Sequence, residues 1–253
     1  MGAIVNLQPG ATAAAQASAV AAYFNNNEQS LDPIEMLISM NSLDEYYPAL
    51  AIHIMMKTIK NSVSVRVKKD AINALVFAMR RLDNRCVNYV ELVIPPFLDL
   101  IRTINDNLLI DLIENLGSLI SNIKKHIEPY LNPIIKIIEH NWNAHDKQCK
   151  MVSALIDLVK SIANVMDIEF KHYLPKVLPL VLKQLQVEIN NCIQTNDFIN
   201  NNNNTLKILN LFRLCTGCLE NYVHLILSQF AQYLTKTEIT LQLKQEMMFT
   251  IYT

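Results

Sequence analysis

The chain has 253 residues, 51% of them hydrophobic and 18% charged, and a formal net charge of -1, which removes any global electrostatic pull toward nucleic acid or an anionic bilayer. Four glycines are too few for the hairpin turns of a β architecture, and five cysteines (Cys86, Cys149, Cys192, Cys215, Cys218) form an odd, sparse set that suits a reducing compartment better than secretion. The amino terminus lacks the basic region of a signal peptide, and the alanine-rich stretch 11–22 is too short and too polar to span a membrane. The expectation is a soluble, cytoplasmic protein with other proteins as partners.

Residues 1–30 are rich in Ala, Gln and Asn and nearly uncharged. They read as a low-complexity, flexible leader, with a nascent helix over the alanines as the alternative. From 31 the pattern turns helical, and Asp32, Pro33 and Glu35 make a helix start signal of N-cap, first position and third position.

Five antiparallel helix pairs then follow. First helices are predicted at 46–60, 87–104, 128–142, 171–186 and 220–234, and second helices at 65–82, 107–122, 147–164, 204–217 and 238–252. In the third pair, Leu131, Ile134, Ile135, Ile138 and Trp142 form one apolar stripe, and Val152, Leu155, Ile156, Val159 and Ile162 form the other. A tyrosine opens each first helix: Tyr47, Tyr89, Tyr130, Tyr173 and Tyr222, at intervals of 42, 41, 43 and 49 residues. Self-similarity near that period marks HEAT and armadillo arrays, whose units bury their apolar faces only against neighbours. The fold class is therefore all-α, a HEAT-repeat α-solenoid of about five helix pairs over 31–253.

Prolines recur within the repeat. Pro48, Pro133 and Pro175 fall one to three residues after the tyrosine, where a first-turn proline costs little, whereas Pro95 and Pro179 fall six after it and should bend their helices. Asparagine is a poor helix former, so the run Asn200 to Asn204 points to a disordered loop near 196–204. The final helix pattern stops without a glycine or a polar capping repeat, which reads as a truncated array.

Candidate chemistry is sparse. Cys215-Thr-Gly-Cys218 could be a redox pair or half of a zinc site. It falls inside a helical stripe without a second CxxC, however, and small buried residues that let helices approach account for it better. His140 and His145 are five apart, share no helical face and lack a third ligand, while Trp142 between them reads as core. Arg66, Lys68, Lys69, Arg80, Arg81 and Arg85 make one second helix basic. That could mark an acidic-partner or phosphate patch, although without interleaved aromatics it reads first as a solvated face. Lys57, Lys60 and the Lys124-Lys125 pair sit at helix ends, where positive charge complements the dipole. No phosphate loop, kinase catalytic element, GxSxG or HExxH occurs. No catalytic, cofactor-binding or metal site is assigned.

The wording of the repeats narrows the choice. LDEYYPALAIHIMMKTI, RCVNYVELVIPPFLDLIR, LGSLISNIKKHIEPYLNPIIKIIEHNW, EFKHYLPKVLPLVLKQL and LENYVHLILSQF, running from Leu43 to Tyr233, resemble the amino-terminal HEAT array of the TOR (target of rapamycin) serine/threonine kinases. The resemblance implies a scaffold segment of a nutrient-sensing growth-control kinase, with Raptor-like or Rictor-like subunits and a second TOR protomer as partners. It also implies that ATP and Mg belong to a kinase domain absent from this chain, and that any contact with endomembranes comes through the parent complex. The alternative is a stand-alone HEAT adaptor or nuclear-transport-receptor-like protein.

Overall fold

In a computed structural model the chain is described over residues 43–104, 108–145, 148–195, 203–237 and 239–252. The leader at 1–30 and the start signal at Asp32 lie outside these residues. Among the described residues there are ten α-helices and no strand. We number them α1 (Leu43–Asn61), α2 (Val65–Arg81), α3 (Val90–Thr103), α4 (Leu108–Ile123), α5 (Leu131–Ala144), α6 (Cys149–Met166), α7 (Leu174–Thr195), α8 (Asn203–Leu214), α9 (Val223–Leu234) and α10 (Leu241–Tyr252). A helix stands at each of the ten expected positions, and the fold is all-α and solenoid-like. The chain divides into two compact units, Met1–Asn115 and Leu116–Thr253, with the division falling in α4.

In the first unit, α1 and α2 pack as a pair through Ile52, Met56 and Ile59 on one side and Ile72, Leu75, Val76 and Met79 on the other. Ser64 caps α2, its side chain accepting from the Val67 N–H. Lys69 of α2 reaches Asp111 of α4 at 3.0 Å.

In the second unit, α5 and α6 bury Leu131, Ile134, Ile135, Ile138 and Trp142 against Val152, Leu155, Ile156, Val159 and Ile162, every one of them 3% exposed or less. Gly117 on α4 lets α6 come close, since a Cβ there would stand 3.3 Å from the Ser161 hydroxyl and 3.8 Å from the Leu158 Cα. Across α8 and α9 the rings of Phe212 and Phe230 meet edge to face, centroids 6.2 Å apart.

Each first helix of the second to fourth pairs is entered through a short 3-10 segment: Asp83–Tyr89, Lys124–Tyr130 and Asp167–His172. The residue that opens each one has a positive φ: 47° at Asp83, 57° at Lys124 and 49° at Asp167. All three stand six residues before the repeat tyrosine. The left-handed step ends the preceding helix and turns the chain, as glycine usually does, and here non-glycine residues bear the steric cost. Three residues before the tyrosine an apolar side chain plugs the junction: Cys86, Ile127 and Phe170, with Leu219 in the same place in the last pair.

That geometry corrects several expectations. The first helices α3, α5, α7 and α9 begin three residues late because the tyrosine itself stands at the N-terminal boundary. Tyr89 is buried, but Tyr130, Tyr173 and Tyr222 are only half-buried and Tyr47 is 59% exposed. The junction is filled by the residue at minus three.

α1 starts at Leu43, so Pro48 occupies the sixth helical position and not the first turn. Pro95 and Pro179 do stand in the interior of α3 and α7, as expected. α7 continues to Thr195, nine residues beyond the expected end, because Glu188 and Ile189 are buried and hold the extra turns.

The Asn-rich run is not all loop. Asn203 and Asn204 open α8, and Asn204 is 1% exposed; residues 196–202 lie outside the described residues. The Asn204 amide donates to Glu188 Oε1 at 3.0 Å and to the Cys149 carbonyl at 3.3 Å, and the Gln184 amide also donates to Glu188 Oε1 at 3.0 Å. These bonds explain a buried asparagine that composition alone assigns to solvent.

Candidate interaction surface

The CxxC pair lies just past α8, not inside a helix: α8 ends at Leu214, and Cys215 and Cys218 bracket the short 3-10 segment Thr216–Cys218. Both thiols are buried. Burial, with the neighbouring Cys218, pushes the Cys215 thiol up to about 12. Burial, then the charge of Asp167, raises Cys218, against a smaller opposing pull from Lys171. The Cys218 thiol donates to the Asp167 carbonyl at 3.1 Å. Both cysteines pack as compact buried groups, and the Cys218 bond ties this turn to the preceding junction.

His140 is exposed on α5 and His145 follows its end, while Trp142 is buried between them. Among the described residues no three His, Cys, Asp or Glu side chains cluster as metal ligands would, and no helix is long and apolar enough to cross a membrane. A crevice in the second unit, bordered by Val159, Phe170, Leu174, Val181, Phe212 and Cys215, is apolar throughout. It lacks the convergent polar groups by which a substrate site orients a ligand.

The charged residues are more informative. Lys69 is spent on Asp111, and Lys125 pairs with Glu169 at 3.3 Å. Lys207 of α8 binds Asp157 and Ser153 of α6. The Arg213 guanidinium donates to Glu246 and Thr250 and lies 4.5 Å over the Phe249 ring, fastening α10 to α8. The bonds of Lys69, Lys207 and Arg213 join successive second helices, and that of Lys125 joins two successive 3-10 corners.

Arg66, Arg80 and Arg81 on α2 differ, since all three are exposed and none has an ion pair among the described residues. Phe77, 58% exposed, stands among them, with the Arg81 guanidinium 5.1 Å above its ring. Arg85 lies past the helix, in the 3-10 segment. The sequence reading noted the basic residues and missed the aromatic; its signal is that Phe77 falls off the apolar stripe of Ile72, Leu75, Val76 and Met79.

The family model described as "Serine/threonine-protein kinase mTOR domain" matches residues 2–124. The chain is 33% identical over 162 residues to the Drosophila melanogaster serine/threonine-protein kinase mTor, covering 64% of this chain and 6% of that protein. It is 30% identical over 205 residues to TOR2 of Saccharomyces cerevisiae, 79% of this chain and 8% of the relative. To Arabidopsis thaliana TOR it is 23% identical over 199 residues, 77% of this chain and 8% of the relative. The chain belongs to the TOR kinase family.

Within that family it spans under a tenth of the length of these three relatives. The matched stretch of the family model takes in α1 to α4 with the basic face of α2.

Proposed function

We propose that this TOR-family segment is a HEAT-repeat scaffold: it holds regulatory subunits of the Raptor or Rictor type and contributes to assembly of a TOR complex and its dimer. The observation behind this reading is the family match combined with an all-helical, solenoid-like array. Paired helices joined by repeated corners expose a succession of helix faces, which suits a platform for several proteins. Phosphoryl transfer, with ATP and Mg, is assigned to a kinase domain elsewhere in the parent protein, and the complex is placed in the cytoplasm, with any endomembrane contact made through its other parts.

Two measurements test the proposal. Reading the transcript past the codon for Thr253 should reveal a kinase signature set downstream; a stop codon soon after a polar capping helix would overturn the kinase reading. Excision of residues 43–252 from the tagged parent at its own locus should strip co-purified regulatory subunits and lower the native mass. An unchanged complex composition would reject the scaffold role.

A further inference from the structure

Phe77 occupies a place that the packing of the array does not explain. At 100° per residue it points about 150° away from the centre of the buried stripe of α2. Lys69, on the edge facing α4, marks the side given to the neighbouring second helix. The opposite edge is a row of small or apolar residues, Val67, Ala71, Ala74 and Ala78, such as a helix packed alongside would cover. Phe77 belongs to neither edge, and 58% of it is open to solvent. Arg66, Arg80 and Arg81 fall within about 60° of it around the helix.

We propose that this face of α2 is a docking site for an acidic, amphipathic protein segment, one that sets an apolar side chain against Phe77 and carboxylates against Arg66, Arg80 and Arg81. The charge pattern selects that occupant. Three exposed arginines without carboxylate partners among the described residues offer planar forks suited to Asp and Glu. Arg81 is already laid over the Phe77 ring at 5.1 Å, so part of the ordering cost of its long side chain is met before binding. Asp70 lies on the same face, and its fixed negative charge repels a continuous polyphosphate, whereas a peptide can place a neutral or basic residue opposite it. A single aromatic is also too little for stacking successive bases. The site extends the scaffold reading above by naming the chemistry of one partner surface. Because it is tested on this chain alone and not on the composition of the parent complex, the two proposals fail separately.

Selection of a random-peptide library on the immobilised 253-residue chain tests it, with an oligouridine and phosphatidylserine vesicles as parallel probes. Selected peptides should be rich in Asp and Glu around one or two large apolar residues and should weaken as salt rises. They should lose about tenfold or more in affinity on Arg81→Glu or Phe77→Ala. The buried face of α2 is untouched by either change, so the helical circular dichroism should stay as in the parent chain. Restoration of binding to an Arg66→Glu/Arg80→Glu/Arg81→Glu variant by peptides with Lys in place of the acids would confirm the charge pairing. Peptides without acidic enrichment, affinities indifferent to these substitutions, or binding of the oligouridine or vesicles that depends on the same arginines would overturn it.

Discussion

Cys215 and Cys218 illustrate how burial decides the meaning of a motif. Burial holds the Cys215 thiol near 12, above its ordinary 9.0, so the folded state binds the proton more tightly than the unfolded chain. The associated stability is fully present below pH 9 and is lost as pH rises toward 12. Denaturant titrations should therefore show unfolding free energy falling through that window, and Cys215→Ala should fall less steeply. Equal slopes would mean that the thiol is not sequestered. A second residue-scale test lies at Lys124, held at φ 57°. Lys124→Gly relieves left-handed strain at the expense of backbone entropy and should raise the unfolding free energy by about 0.5–1 kcal/mol, whereas Lys124→Val should lower it.

At the scale of elements, stability resides in contacts between successive helices. Ile134 is fully buried on α5, and Ile134→Ala should cost about 2–5 kcal/mol in a denaturant melt. Hydrogen exchange should then quicken in α6 and α7 as well, since units in such an array lean on their neighbours; faster exchange confined to α5 would contradict that coupling. Arg213→Ala removes charge-assisted bonds to Glu246 together with the cation–π contact to Phe249. A loss of about 1.5–3 kcal/mol is expected, with α10 the first helix to exchange. The helices themselves were readable because apolar stripes at helical spacing, as in α5 and α6, carry the burial pattern directly. The corners were not. Asp83, Lys124 and Asp167 share a backbone sign but no residue type, and the plugs Cys86, Ile127 and Phe170 blend into the apolar run that follows. Asn204 misled for a similar reason, because its burial rests on Glu188, a partner 16 residues away that local composition does not reveal.

For the whole molecule, family membership was legible in the phrasing of the repeats, while the placement of its interaction chemistry was not. Of the six basic residues read from sequence, Lys69 is a strut to α4, Arg66, Arg80 and Arg81 form an outward face, and Arg85 falls past the helix; the distinction at Lys69 depends on Asp111, 42 residues away from it. Where extra residues enter the repeat is equally selective. The long interval of 49 residues keeps the six-residue step from Thr216 to Tyr222 and places its surplus within the fourth pair, chiefly in the longer α7.

The left-handed corners at Lys124 and Asp167 lie 43 residues apart, and each is followed by the same six-residue approach to a tyrosine. A stretch running from one to the other thus begins and finishes at equivalent joints. For protein engineering it is a natural cassette, and a duplicate copy spliced at Asp167 would meet the flanking helices with ends of the kind they already accept. A splice between α7 and α8 would instead sever the chain linking Glu188 to its amide donor Asn204, so the array has seams at its corners and none within that pair.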